Sequence, residues 1–163
     1  MNAMNYTRSF ILECSSMEAF DAIRRVREWW TLNTHGSASA VGDEFTVQFG
    51  EVHLTTQRVV DVVAGRRMVW RVTRSRLPWL KDAGQWKGTE MIFDITEEAA
   101  GTRITFTHVG LTPLMECCTQ CEKGWDYFIG TSLRELITGG AGKPDTTKRT
   151  HMDIIGHVHS KNA

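Results

Sequence analysis

The chain has 163 residues, of which 19 are lysine or arginine and 19 are aspartate or glutamate, so its formal net charge is zero. This length is typical of one domain with one core, which needs no metal or disulfide framework for stability. A neutral chain without a basic cluster is a poor candidate for nucleic-acid binding. The sequence has no apolar run near the ~20 residues that span a bilayer and no N-terminal segment typical of a secretory signal. We therefore predict a cytoplasmic, single-domain protein.

The first 30 residues predict one strand and two short helices. Alternating apolar residues predict a strand over residues 6–14. Ser15 and Glu18 then have the spacing of a capping box, in which each side chain accepts a hydrogen bond from the other residue's amide. Apolar residues at helical spacing follow, and a second helical turn is predicted to carry Trp29 and Trp30.

The middle of the chain predicts an antiparallel sheet. After a loop that begins at His35, the period of the apolar residues changes to two. Five strands are predicted over residues 45–49, 53–63, 68–73, 91–95 and 104–108. Short connections join most of them, and residues 76–88 form a longer loop that contains Trp79 and Trp86. Strands joined in this way indicate hairpins rather than parallel βαβ units.

The last predicted element is a long helix that begins near Thr112, with Pro113 at its first helical position. Its apolar stripe contains Cys118, Cys121, Trp125, Phe128, Ile129, Leu133 and Leu136. Gly139 and Gly140 are expected to end it, because glycine adopts the left-handed conformation common at helix C-termini. We predict a domain over residues 1–142 and a polar tail over residues 143–163.

A family resemblance extends over roughly residues 6–140. It rests on residues 26–30, 41–45, 68–70, 86–90, 106–111, 124–128 and 132–133 and on their order along the chain. The chain resembles the helix-grip fold of the SRPBCC superfamily, to which the birch pollen allergens belong, and more closely the branch named for the activator of heat-shock protein 90 ATPase. The resemblance implies an α+β fold: a curved antiparallel sheet of six or seven strands around a long C-terminal helix, with two short helices after the first strand.

We predict an apolar cavity between the concave face of the sheet and this helix. Its predicted lining residues are Trp30, Trp70, Trp86, Phe93, Phe106, His108, Cys118, Cys121, Trp125 and Ile129. The tryptophans are the best markers, because an indole ring forms a rigid wall and its N–H can orient a ligand. The alternative of plain core packing has equal weight.

Polar residues on the predicted strands have two interpretations each. His108 continues an apolar strand face, so it could bind a ligand oxygen or act as a general base. The competing interpretation is a buried histidine bonded to a backbone carbonyl or a threonine. His53, Thr55, Gln57 and Asp61 share one strand parity and line either a wetter part of the cavity or the outside of the sheet.

The cysteines are expected to be reduced. Cys117, Cys118 and Cys121 lie within five residues, which suits free thiols better than a disulfide framework. On a helix Cys118 and Cys121 can both face the sheet, whereas Cys117 turns aside. His108 could join them on a zinc ion, but a fourth ligand is not evident, so neither a metal nor another cofactor is predicted. The tail histidines, His151, His157 and His159, are attributed to a polar tail.

Three functions follow, in order of preference. The first is binding of a small apolar or aromatic molecule in the cavity, with no assigned catalytic residue. The second, which the family's name implies, is a protein-interaction module related to co-chaperones of heat-shock protein 90. The third is an enzyme of the cyclase or hydratase type found elsewhere in the superfamily, with His108 as acid or base. The sequence leaves homodimerisation open.

Overall fold

The computed structural model describes residues 5–146. Its strands are β1 (Tyr6–Leu12), β2 (Thr34–Gly36), β3 (Glu44–Phe49), β4 (His53–Val63), β5 (Arg67–Arg76), β6 (Glu90–Glu98) and β7 (Gly101–Val109). Its helices are α1 (Ser16–Arg24), a 3-10 turn (Val26–Glu28), α2 (Cys118–Tyr127), a π-helical segment (Phe128–Leu133) and α3 (Arg134–Gly139). The last three are continuous and form a 22-residue C-terminal helix.

The strands of this part of the chain form one antiparallel sheet in the order β1-β7-β6-β5-β4-β3-β2. The C-terminal helix crosses the concave face of the sheet. At one end of the crossing, the ring of Trp125 lies 4.6 Å from Phe106 on β7. At the other, the ring of Phe128 lies 5.7 Å from Phe49 on β3. The predicted helix-grip fold is confirmed.

Helix α1 begins where the capping box was predicted. The Glu18 amide donates to Ser15 Oγ at 3.0 Å, and the Ser15 amide donates to Glu18 Oε1 at 2.8 Å. These bonds satisfy two amides at a helix start that otherwise lack partners. The predicted strand before this cap is two residues shorter than expected and ends at Leu12.

Loss of this cap should destabilise the fold measurably. We expect Ser15→Ala to lower the free energy of unfolding by about 1 kcal/mol, because the Glu18 amide would lose its acceptor. Urea unfolding followed by circular dichroism measures the change. Ser16→Ala is the matched control, since it alters the first helical residue and leaves the cap in place. Equal losses of stability in the two variants would contradict the assignment of Ser15 as the N-terminal cap of α1.

The beginning of the C-terminal helix corrects the prediction. The helix begins at Cys118 rather than at Pro113, and residues 112–117 form successive turns instead. In these turns the Cys117 amide donates to Gln85 Oε1 at 3.2 Å, and the Glu116 carboxylate accepts from the Lys81 amide at 3.1 Å. Contacts with the loop between β5 and β6 therefore satisfy polar groups of this segment without a helical turn. At its other end the helix stops at Gly140, whose φ of 80° is left-handed as expected.

A second correction concerns the segment before β3. It was predicted as a loop from His35, but Thr34–Gly36 forms the edge strand β2, paired with β3. Its three residues are too few for an alternating pattern to reveal it.

The chain after the C-terminal helix returns to the body of the domain. The Asp145 amide donates to the Trp30 carbonyl at 2.9 Å, and the Asp145 carbonyl accepts from the Leu32 amide at 2.9 Å. The Lys143 amide donates to Ser132 Oγ at 2.7 Å. These bonds attach residues 143–146 beside Trp30. The rest of the predicted tail, with its three histidines, lies outside the described residues.

Candidate functional site beneath the C-terminal helix

A π-helical segment interrupts the C-terminal helix above the sheet. Such segments are rare and recur at functional sites, because they widen a helix by one residue. Gly130 lies in this segment with the Arg8 side chain against it, so a Cβ there would come 2.5 Å from Arg8 Nε. Arg8 and Tyr6 of β1 both bond to Asp126 on α2. The widened helix is thereby held against the edge of the sheet.

The structure brings nine of the ten predicted lining residues together in the buried interior. The exception is Cys118, which is only partly buried and donates from its thiol to Glu122 Oε2 at 3.3 Å. Burial, followed by the adjacent Glu122, raises the pKa of the Cys118 thiol to about 11. Cys118 therefore does not line the interior, which corrects the prediction.

Cys117 takes the place that was predicted for Cys118. It is fully buried and forms a disulfide with Cys121, across a Cα–Cα distance of 5.7 Å. The predicted reduced state of this pair is wrong in the structure. Cys117 and Cys121 are four residues apart, and residues at this spacing lie on the same face of a helix, one turn apart. The Cys121 amide donates to the Cys117 carbonyl at 2.9 Å, as expected for such a turn. Within residues 5–146, no group of three or more histidine, cysteine or acidic side chains could hold a metal ion.

The predicted cavity is almost filled by aromatic rings. A void of about 10 Å³ remains, which is room for about one water molecule. It is lined by Trp30, His53, Trp86, Cys121, Gly124, Trp125 and Phe128. Sites for small molecules usually have about 300–1,000 Å³. The expectation of an open cavity is therefore corrected: the helix covers the concave face, and side chains occupy the space beneath it.

Trp86 contributes most directly to this closure. Its ring stacks on Trp125 at a centroid distance of 5.9 Å and meets the edges of His53 and His108 at 5.0 and 4.8 Å. The Trp86 indole N–H donates to Cys117 Sγ at 3.3 Å. Trp86 comes from the loop between β5 and β6, whereas His53 lies on β4, Trp125 and Phe128 lie on the C-terminal helix, and Trp30 lies in the turn before β2. Loop side chains can leave a site without moving a strand or helix.

Both ring nitrogens of His108 have partners. Trp125 Nε1 donates to His108 Nδ1 at 3.0 Å, so Nδ1 is an acceptor and the proton lies on Nε2. Nε2 then donates to Thr89 Oγ1 at 2.9 Å, and that hydroxyl donates to the Trp86 carbonyl at 2.6 Å. Burial lowers the pKa of His108 to about 3. The ring is neutral near pH 7 and offers no free nitrogen to a substrate, which does not support the acid–base role.

The inward face of β4 is polar within this aromatic interior. His53, Thr55 and Gln57 are 3%, 0% and 0% exposed, and His53 Nε2 lies 3.0 Å from Thr55 Oγ1. A register shift between Val59 and Asp61 turns Asp61 outward, where its carboxylate accepts from Arg67 at 3.2 Å. His53, Thr55 and Gln57 therefore lie inside the domain, whereas Asp61 lies on the outside of the sheet.

Gln57 is a functional candidate that the predicted set omitted. The described part of the chain offers no hydrogen-bond partner to either polar atom of its amide, nor to the indole N–H of Trp70. A buried polar group without a partner costs about 1–3 kcal/mol, and native proteins contain few of them. In the sequence, Gln57 could have been identified as a polar residue on the strand face that points inward, because it alternates with the same spacing as His53 and Thr55.

Comparison with known proteins agrees with this fold. Residues 18–138 match the family described as Activator of Hsp90 ATPase homolog 1-like protein. The chain belongs to this family. The resemblance derived from the sequence is thereby confirmed, and membership makes the chain a ligand-binding or interaction domain. A comparison with curated proteins finds no match.

Solved structures similar to this Activator of Hsp90 ATPase homolog 1-like chain share its fold at low identity. The Aha1 dimer from Colwellia psychrerythraea is 20% identical with a TM-score of 0.70, and the match covers 85% of this chain and 99% of that one. A protein from Mesorhizobium loti is 15% identical with a TM-score of 0.67, and the match covers 84% of this chain and 98% of that one. A protein from Staphylococcus saprophyticus is 14% identical with a TM-score of 0.64, and the match covers 86% of this chain and 96% of that one. At such identities the likeness shows the fold alone.

Larger clefts of this family member open on the surface, away from the predicted site. One of about 510 Å³ lies where the start of α1 meets the turn after β4 and the second half of β6, and none of the predicted lining residues contributes to it. Within residues 5–146, none of the helices has the length and apolar character required to cross a membrane.

Proposed function

We propose that the protein binds a small, largely apolar or aromatic molecule between the sheet and the C-terminal helix, and that Trp86 leaves this interior as the molecule enters. The observation that carries the proposal is the position of Trp86. A loop residue fills the space between two buried histidines and Trp125, next to the remaining void. The Trp86 ring thus occupies the space that we propose for the bound molecule.

The contacts of the loop support such a movement. The segment between β5 and β6 is joined to the turns before α2 by three side-chain contacts, which involve Lys81, Gln85 and Trp86. The first two contacts use the flexible side chains of Glu116 and Gln85 as acceptors. Each net hydrogen bond contributes about 0.5–1.5 kcal/mol. A bound molecule that restores the stacking on Trp125 can offset the loss of these contacts.

The proposal predicts that a methyl group added at the void weakens binding. We expect 2-naphthol to bind the native protein with saturable, 1:1 quenching of tryptophan fluorescence. Gly124→Ala should weaken this binding at least about tenfold, because the added methyl group lies at a residue that lines the void. Isothermal titration calorimetry provides the second measurement.

The matched control is Gly139→Ala. This glycine lies near the end of the same helix, and a Cβ there would have no atom within 4 Å. Binding by the control should equal that of the native protein. Absence of saturable binding to the native protein, together with no small molecule extracted from it and identified by mass spectrometry, would refute the proposed function.

A further inference from the structure

The buried amide of Gln57 indicates what kind of molecule the interior accepts. Gln57 lies two residues beyond Thr55 on the inward face of β4, with Phe45 directly opposite on β3 and Val72 opposite on β5. The Phe45 ring lies 4.7 Å from the Trp70 ring. Gln57 is therefore a polar group surrounded by apolar side chains.

The unpaired atoms of Gln57 have a defined chemistry. A carboxamide presents a C=O acceptor and an NH₂ donor side by side in one plane. The group that satisfies both at once must carry a donor and an acceptor in the same arrangement, as the N–H and C=O of a lactam do. The Trp70 indole N–H, also without a partner among residues 5–146, supplies a further donor to a carbonyl oxygen.

The lack of charged side chains in the interior limits which ligands could bind there. Within residues 5–146, no lysine or arginine is buried, and Asp145 is the one buried carboxylate. Burying an ion without a compensating partner is strongly unfavourable. The buried threonines, histidines and Gln57 are instead suited to neutral hydrogen bonds. A neutral ligand fits these side chains better than an anion or a cation.

Gln57 can also be reached from the void along one strand. His53 lines the void, and Gln57 lies four residues further along the same inward row. At about 3.3 Å per residue this separation is roughly 13 Å. The Trp30 ring lies over the row, 6.1 Å from His53 and 6.4 Å from Trp70. A ligand that reaches Gln57 therefore lies beneath the Trp30 ring, beyond the void.

We propose that the ligand is a neutral, planar aromatic molecule with a lactam-type edge, and that Gln57 selects it through two parallel hydrogen bonds. This inference rests on the proposed function, because it requires a molecule to enter the interior. It assigns to Gln57 the role of a specificity-determining residue, with the aromatic rings providing most of the contact area.

Two probes that differ by one methyl group test the inference. 2-Quinolinone has the lactam N–H and C=O, whereas N-methyl-2-quinolinone has lost the donor. Isothermal titration calorimetry on the full chain should show that the native protein prefers 2-quinolinone by at least about tenfold, as two hydrogen bonds would provide. Gln57→Leu should reduce this preference to about twofold or less and still bind the N-methyl compound. Gln57→Met is a second variant of similar size, should the leucine variant fail to fold.

The outcomes separate this inference from the proposed function. If neither compound binds the native protein, interior binding fails and the inference fails with it. If both bind equally, interior binding stands and the lactam preference is overturned, as it would be if Gln57 held only a buried water. A preference that persists in both Gln57 variants would also overturn the inference, since another residue would then select the ligand.

Discussion

Replacement of Trp86 by alanine is expected to lower the free energy of unfolding by roughly 3–5 kcal/mol, the usual cost of truncating a buried aromatic residue. The Trp86 side chain contacts His53, His108 and Trp125 and is almost entirely buried. The cavity left by its indole ring would adjoin the existing void. Urea unfolding of the native and variant proteins measures the loss.

The Trp86→Ala variant should also bind indole more tightly than the native protein, in which the Trp86 ring must first leave. We expect millimolar indole to raise the melting temperature of the variant more than that of the native protein, because the added ring replaces the missing contacts. Trp79→Ala is the matched control: Trp79 belongs to the same loop but is only partly buried. If Trp79→Ala lost as much stability as Trp86→Ala, and indole raised the melting temperature of both variants equally, Trp86 would not be the ring that fills this space.

Acid should destabilise the protein through His108. The pKa of His108 is lowered from 6.5 to about 3 in the folded protein by burial. Above pH 6.5 both folded and unfolded states hold a neutral imidazole, so the free energy of unfolding does not depend on pH through this group. As the pH falls below 6.5, the unfolded chain takes up the proton first. The free energy of unfolding then falls by up to about 1.4 kcal/mol per pH unit, or roughly 4–5 kcal/mol by pH 3.

Two measurements test this dependence. Urea unfolding at several pH values should give a shallower pH dependence for His108→Gln, since glutamine does not titrate but still offers an acceptor and a donor to Trp125 and Thr89. His35→Gln is the control, because it replaces an exposed histidine outside this buried network. NMR should show the His108 ring neutral, with its proton on Nε2, at pH 5. A His108 titration near pH 6.5 would contradict the buried network.

Much of the fold could be predicted because its signals are local. The capping box of Ser15 and Glu18 lies within four residues, and the strands could be identified from alternation along single segments. The beginning of the C-terminal helix could not, because it depends on contacts with distant residues. Pro113 and Thr112 suit a helix start, yet Gln85 and Lys81, roughly 30 residues earlier, bond to the segment that follows them.

Strand parity and helical spacing predicted which aromatic residues lie in the interior, but not the volume left among them. His108, Trp125 and the other predicted rings are buried there, whereas Cys118 is not. The space left among them depends on how the loop places Trp86, which no periodicity encodes. Similarly, one register shift in β4 moved Asp61 outward. The error over Cys117 and Cys118 has a different origin: residues three apart and residues four apart both share a helix face, so spacing from Cys121 alone does not decide which of the two lies inward.

The last residues of the loop determine the direction from which a molecule would enter. The Gly88 amide donates to the Val72 carbonyl at 2.8 Å, and the Trp86 carbonyl accepts bonds from both the amide and the hydroxyl of Thr89. The part of the loop near Lys81 is held as well, because the Ala83 carbonyl accepts from the Leu77 amide at 2.8 Å and from the Ser75 hydroxyl at 3.0 Å. With the loop backbone fixed on the sheet at both places, the proposed entry would require the Trp86 side chain to turn out beside the first turn of α2.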